Sequence, residues 1–196
     1  AVAAVSVLLF VGQPKASQVD DLTLVKIETG EEVLLLPDPL ERLIAERYPG
    51  YRVPDTSDVT GLWARAKTPG TFPFAVWGDF NGDSLQDAGL ILLGKTTFRI
   101  VIFNKTQRGY VLALEMGDEF DAPPAGVPFY QRLLIRMIPR GKVVEFNPGE
   151  NAAAGEGVFR FHAQHDSIMV NIFDELKSII AWRDGAYQHV FFGSSL

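Results

Sequence analysis

The chain has 196 residues, of which 47% are hydrophobic, with a net charge of −6 and no cysteine. This length suits one domain with a sizeable core, alone or after a short leader. The acidic balance, without a basic patch, argues against nucleic acid as a partner, and the absence of cysteine excludes disulfides, thiolate catalysis and sulfur-ligated zinc.

The first residues predict a secretory signal peptide whose basic start is missing. Residues 1–11 are predominantly apolar, a run too short to span a membrane but suited to the apolar core of a signal. A polar break then leads to Ala16 and Ser17, which fit a cleavage region. We therefore expect a leader over 1–16 and a periplasmic or secreted domain over 17–196, with no membrane insertion after leader removal. The alternative is a buried N-terminal strand.

A hairpin and a helix are predicted next. Residues 22–37 contain two strand-like runs around the Thr-Gly pair at 29–30, which is typical of a hairpin. Asp38 is expected to cap a helix that starts at Pro39, with Glu41 as the acid of a capping box. One face of this helix is apolar, and a Pro-Gly pair ends it.

From Phe72 onward the pattern indicates strands almost throughout. Two apolar runs enclose an acidic loop, and a hairpin is predicted around the polar turn at 105–109. Two more strands are expected to pair across 139–141, and short strands with an Arg-Asp-Gly turn at 183–185 complete the chain. We therefore expect a single α+β domain, in which a mostly antiparallel sheet carries one clear N-terminal helix.

The acidic loop at 79–87, DFNGDSLQD, predicts a calcium site. Asp79, Asn81, Asp83 and Asp87 stand at its first, third, fifth and ninth positions, and Leu85 at the seventh offers its carbonyl oxygen. Calcium prefers six to eight oxygen ligands. Without a cation, carboxylates this close repel one another by about 1 kcal/mol per pair or more. These five residues are the predicted ligands and calcium the predicted cofactor; the alternative is a solvated acidic turn.

This loop is not an EF-hand. Ser84 stands where an EF-hand has its glycine, Leu90 where it has its bidentate glutamate, and a strand pattern follows instead of a helix. The residues DFNGDSLQDAGLIL resemble instead the calcium loops of FG-GAP and VCBS-type repeats, which occur in integrin-like propellers and exported bacterial proteins. The resemblance implies calcium ligation by the same five residues. A propeller needs several blades, whereas this chain has one such loop, so the resemblance covers the loop alone.

A second resemblance lies near the C-terminus. His165-Asp166, two apolar strands and then Trp182, Asp184 and Gly185 are similar to the ending of small uncharacterised exported bacterial proteins with a single such calcium loop. Arg183 interrupts their tryptophan–aspartate pair. This resemblance implies a fold and a compartment but no activity.

The histidines are interpreted as structural residues and not as metal ligands. His162, His165 and Asp166 could hold a second metal, but residues three apart diverge on an extended segment. Hydrogen bonding at a turn and a strand end is therefore the favoured role, and His189 is expected to be an ordinary sheet residue.

Four acidic residues cluster near one predicted loop and could supply the acid and base of a hydrolase, although solvation of the surface is the favoured interpretation. They are Glu115, Asp118, Glu119 and Asp121. The tryptophans Trp63, Trp77 and Trp182 could form a glycan or peptide surface, but core packing is favoured.

The sequence as a whole predicts an exported, calcium-stabilised binding domain whose partner is an unknown protein or glycan. One alternative is an extracellular or cell-wall hydrolase that uses acidic residues. Another is an inhibitor or chaperone-like protein of the periplasm.

Overall fold

The computed structural model describes residues 20–26, 32–55, 58, 72–95, 97–117, 133–146, 159–172 and 176–194. The leader predicted over 1–16 lies outside these ranges, as does Trp63. The described residues form one helix and twelve strands. They are α1 (Asp38–Arg47), β1 (Thr23–Lys26), β2 (Glu32–Leu35), β3 (Ala75–Gly78), β4 (Asp87–Leu93), β5 (Phe98–Thr106), β6 (Gly109–Gly117), β7 (Leu133–Ile138), β8 (Val143–Phe146), β9 (Phe159–His162), β10 (Ser167–Ile172), β11 (Leu176–Arg183) and β12 (Ala186–Ser194).

The strands form four sheets, and all their pairings are antiparallel. Two sheets have four strands, in the orders β3-β4-β5-β6 and β12-β11-β10-β7, and two are the ribbons β1-β2 and β8-β9. The expectation of a mostly antiparallel β protein with one helix is confirmed at this level. The helix has ten residues and is a minor element.

The first four-stranded sheet (β3 to β6) runs in sequence order, because each strand turns back on the one before it. One of its two inner strands, β4, has the sequence DAGLILL and is buried at every position. A nearly continuous apolar run of this kind is typical of a strand covered on both faces. The helix α1 lies against β6, where the Tyr48 hydroxyl donates a 3.0 Å hydrogen bond to Glu115.

The start of α1 differs from the prediction. Asp38 is the first helical residue, whereas Pro37 occupies the capping position in an extended conformation (φ −60°, ψ 139°), with no side-chain capping bond. The Pro37 carbonyl accepts hydrogen bonds from the N–H groups of Leu40 and Glu41. Because Pro39 has no N–H to satisfy, few donors remain for a side-chain cap. No described helix has the length and apolar character required to cross a membrane.

The predicted pairing of β7 with β8 is wrong. The chain does turn at 139–141, but β7 pairs with β10, and β8 forms a separate ribbon with β9. Leu133, Leu134 and Ile135 are consecutive and all buried, so β7 needs cover on both faces. By contrast, β8 alternates exposed and half-buried side chains, a pattern typical of a strand that packs through one face.

The second four-stranded sheet (β7, β10, β11 and β12) lies between two apolar layers. On one face, Ile168 and Ile180 belong to the main core that includes the first sheet. On the other face, Ile179 packs in a smaller cluster with Phe161 of the β8-β9 ribbon. The contact between the sheets is close at Gly89, where a Cβ atom would lie 2.5 Å from Ile168 Cδ1. Glycine at this position of β4 therefore allows the second sheet to approach the first.

The hairpins predicted at 105–109 and 183–185 are confirmed as the pairs β5–β6 and β11–β12. The strands expected on either side of 29–30 pair as β1 and β2, and the predicted turn itself lies outside the described residues. Asp184 and Gly185 both have positive φ, 52° and 80°. Two successive residues of this kind match the twist of a two-residue hairpin, which explains the Asp-Gly sequence.

Candidate metal centre

The acidic loop connects β3 to β4, and its own side chains close it. Asp79 Oδ1 accepts a 2.7 Å hydrogen bond from the Gly82 N–H, Asn81 Oδ1 one of 3.0 Å from the Asp83 N–H, and Asp83 Oδ1 one of 2.8 Å from the Leu85 N–H. Short polar side chains bind backbone N–H groups two or three residues ahead in this way, and so produce tight turns. The alternating Asp and Asn residues therefore fold the segment locally.

Two residues of the loop adopt the left-handed conformation. Gly82 has φ of 83° and Ser84 has φ of 68°. A Cβ atom on Gly82 would lie 2.4 Å from His165 Cε1, so glycine is required there for space as well as for conformation. Ser84, which stands where an EF-hand has its glycine, nonetheless adopts the backbone conformation that favours glycine.

Asp87 is fully buried and holds the base of the loop. Its Oδ2 accepts hydrogen bonds from the N–H groups of Phe80 (3.0 Å) and Asn81 (3.3 Å), and its Oδ1 accepts one of 2.9 Å from the Lys105 N–H on β5. Burial raises the pKa of Asp87 to about 6, the charge of Asp83 adds to the rise, and the three N–H groups oppose it. The loop is thus anchored to the neighbouring strand through one carboxylate.

A residue distant in sequence also holds the loop. The Asp79 N–H donates a 3.0 Å hydrogen bond to Asp166 Oδ2, and the Asp166 N–H donates one of 3.2 Å back to the Asp79 carbonyl. Asp166 Oδ1 accepts a further 2.8 Å bond from the Arg140 N–H. The prediction of turn and strand-end hydrogen bonding is therefore confirmed for Asp166, but its partner, the acidic loop, was not predicted. The only sequence signal was the His165-Asp166 pair.

The histidines at 162 and 165 have different surroundings. His162 is exposed on β9, whereas His165 packs against Gly82, and its Nδ1 is buried without a hydrogen-bond partner among the described residues. The sequence prediction of diverging side chains assumed an extended segment, but residues 163–166 form the turn between β9 and β10.

The negative charges of the loop reach a common neighbour, Tyr187. Burial raises the pKa of Tyr187, and the charges of Asp87, Asp83 and Asp79 raise it further. Its hydroxyl donates a 2.6 Å hydrogen bond to Asn104 Oδ1. None of the ion pairs between described residues involves a loop carboxylate. The three carboxylates are therefore not neutralised by a described cationic side chain.

The donor atoms of the loop fit calcium chemically. The five predicted ligands offer only oxygen, from three carboxylates, one amide and the Leu85 carbonyl. An oxygen that accepts one N–H keeps a second lone pair, and for Asp87 this holds for Oδ1, because Oδ2 already accepts two N–H groups. The part of the chain that the structure describes holds no ready-made group of three or more His, Cys, Asp or Glu side chains for a metal. Ligation by Asn81 and Asp83 would replace the 3.0 Å hydrogen bond from Asn81 Nδ2 to Asp83 Oδ2.

The acidic cluster considered for a hydrolase is only partly described. Glu115 accepts the hydrogen bond from Tyr48 and forms an ion pair with Arg99 at 3.3 Å. Asp118, Glu119 and Asp121 lie outside the described residues. The structure therefore describes only one member of this cluster, Glu115, and the hydrolase alternative stays a prediction.

The remaining candidate residues, His189, Trp77 and Trp182, contact other residues of the sheets and the core. His189 lies in β12, where its Nε2 is 2.7 Å from the buried Ser178 Oγ, so the expectation of a sheet residue is confirmed. Trp77 is partly buried against the main core. Trp182 makes an edge-to-face contact with Tyr187, with ring centroids 4.9 Å apart.

No protein-family model, curated protein or solved structure gives a significant match to this chain. The likeness of the loop to FG-GAP and VCBS-type repeats therefore rests on its own residues, and calcium ligation stays a prediction.

Proposed function

We propose that this chain is a calcium-stabilised interaction domain of the α+β class that works in the periplasm or outside the cell. The observation that supports the proposal is the loop at 79–87, which carries three carboxylates without a described cationic partner and is anchored by the buried Asp87. The proposed ligands are Asp79, Asn81, Asp83, Asp87 and the carbonyl oxygen of Leu85.

In this proposal, calcium supplies positive charge that offsets the mutual repulsion of the carboxylates and links the two ends of the loop. The chain itself supplies the geometry. Asp87 ties the loop to β5 through the Lys105 N–H, and Gly82 permits the sharp turn. Because calcium binds the folded loop and not the unfolded chain, it stabilises the fold by mass action, by about 1.4 kcal/mol when free calcium is about ten times Kd.

The proposed location sets the expected strength of the site. Calcium sites of extracellular modules typically have Kd values of roughly 10⁻⁴–10⁻³ M, and the apolar stretch at 1–11 is of the kind found in secretory signals. The proposed partner is an extracellular protein or glycan. No reaction is assigned to the chain.

The experiment is a thermal melt of the full chain in chelator, in millimolar calcium and in millimolar magnesium. We expect calcium to raise the melting temperature more than magnesium does, because magnesium requires a tighter octahedral site. Asp83→Asn, which removes one ligand charge, should lose the calcium effect. Asp184→Asn removes a charge from the exposed β11–β12 turn and should keep it. Equal calcium stabilisation of Asp83→Asn and the wild type, or no stabilisation of the wild type, contradicts the proposal.

A further inference from the structure

We propose that Asp166 is a positioning residue for the calcium site and that it couples calcium binding to the second four-stranded sheet. The inference rests on the proposed function, because it concerns how the same loop is held. Asp166 is not one of the predicted ligands. It acts on the site through the backbone of Asp79.

The first step concerns the backbone of Asp79. Both of its polar groups bind residue 166, since the N–H donates to the Asp166 carboxylate and the carbonyl accepts from the Asp166 N–H. These two bonds restrain the peptide units on either side of the Asp79 side chain. One oxygen of that side chain is tied to the Gly82 N–H, so the direction of the Asp79 carboxylate depends on where residue 166 holds the chain.

The second step concerns space. A Cβ atom on Gly78 would lie 2.6 Å from Asp166 Oδ2, so glycine at the end of β3 allows this carboxylate to approach the backbone. The neighbouring His165 ring occupies the space beside Gly82. Two consecutive residues, 165 and 166, thus contact the loop at two points, and both contacts require glycine on the loop side.

The third step concerns the second sheet. The other oxygen of Asp166 accepts the N–H of Arg140, which lies in the turn that follows β7, and Asp166 itself directly precedes β10. One carboxylate therefore joins three segments, namely the acidic loop, the end of β7 and the start of β10. When two binding or contact equilibria are coupled, each favours the other by the same free energy. If calcium favours this placement of Asp79, calcium also favours the contact with the second sheet.

The main test is Asp166→Asn, studied by calcium titration calorimetry on the full chain at a temperature where the proteins are folded. Asparagine keeps the size of the side chain but has a single acceptor oxygen, and its NH₂ group cannot accept from either N–H. Residues that orient metal ligands typically change affinity by 10–100-fold, so we expect Kd to rise about tenfold. Asp184→Asn, with the same loss of charge, should leave Kd unchanged.

A second variant, Gly78→Ala, keeps the Asp166 charge and displaces its carboxylate, so it covers the case in which Asp166→Asn does not fold. We expect it to weaken calcium binding in the same direction. Amide hydrogen exchange adds a readout of the coupling. Calcium should slow exchange at the Arg140 amide in the wild type, and Asp166→Asn should remove this effect while the Leu85 amide in the loop stays protected.

The outcomes separate the two proposals. A wild type that does not bind calcium overturns the proposed function, and this inference with it. A wild type that binds calcium, with Kd unchanged in Asp166→Asn and Gly78→Ala, overturns the positioning role and leaves the calcium site intact. A lower melting temperature in chelator without a change in Kd shows a purely structural residue and also overturns the inference.

Discussion

Asp87 allows the electrostatics of the loop to be tested without any ligand. Its side chain is fully buried, and its pKa is raised from 3.8 to about 6. A shift of one pKa unit corresponds to about 1.36 kcal/mol, so the shift amounts to at most about 3 kcal/mol. The folded protein holds this proton more tightly than the unfolded chain does. The stabilising contribution is therefore complete below about pH 4 and is lost as the pH rises through about 6.

Calcium should have the opposite pH dependence, because it requires the deprotonated carboxylate. In chelator, the Asp87 contribution to the free energy of unfolding should fall by up to about 3 kcal/mol from pH 4 to pH 7. In calcium, the stabilisation relative to chelator should grow over the same interval. Both effects depend on the ionisation of the Asp87 side chain, so Asp87→Asn should remove both.

The assay is urea unfolding of the wild type and Asp87→Asn between about pH 4 and pH 7.5, in chelator and in millimolar calcium. The amide cannot accept all three N–H groups that the carboxylate accepts. We therefore expect the variant to be less stable than the wild type near pH 4, by about 1–3 kcal/mol, and this difference to shrink towards pH 7 as Asp87 of the wild type ionises. The informative quantity is the difference in the free energy of unfolding between the two proteins, followed as a function of pH. If the two stability curves in chelator run parallel from pH 4 to pH 7, the reasoning about Asp87 is refuted.

Two further predictions concern the surroundings of the loop. Gly82→Ala should destabilise the protein more than Gly141→Ala. Both glycines have positive φ, which costs alanine about 1–2 kcal/mol. Only at Gly82, however, would the new Cβ atom meet a neighbour, His165. Equal losses in urea unfolding would show that the histidine ring yields. Tyr187→Phe should cost about 1 kcal/mol, because it removes one 2.6 Å hydrogen bond. Its calcium Kd should equal that of the wild type, and a changed Kd would mean that the hydroxyl takes part in the site.

The features that the sequence predicts correctly depend on local interactions. The hairpins follow from turn residues placed between apolar runs, and at Asp184-Gly185 both residues have the positive φ that such a turn requires. In the acidic loop, Asp79, Asn81 and Asp83 each bind an N–H group no more than three residues ahead. Interactions of this range can be inferred from spacing alone.

The errors concern partners that are distant in sequence or choices between close alternatives. The pairing of β7 with β10 rather than with β8 is set by burial on both faces of β7, which depends on layers contributed by other parts of the chain. Asp166 is 87 positions from Asp79, and no periodicity relates the two. At the helix start, the predicted cap Asp38 is the first helical residue and Pro37 precedes it, a difference of one position that local spacing does not decide.

The main alternative to a metal site is a solvated acidic turn. This alternative predicts that the carboxylates of the loop are exposed to water. Asp83 is exposed, but Asp79 is only partly exposed and Asp87 is fully buried. Burial of a carboxylate costs free energy unless hydrogen bonds or a cation compensate for it. Three N–H groups offset part of this cost for Asp87, yet its pKa remains raised. The loop therefore retains an unfavourable charge at neutral pH, and a cation would relieve it.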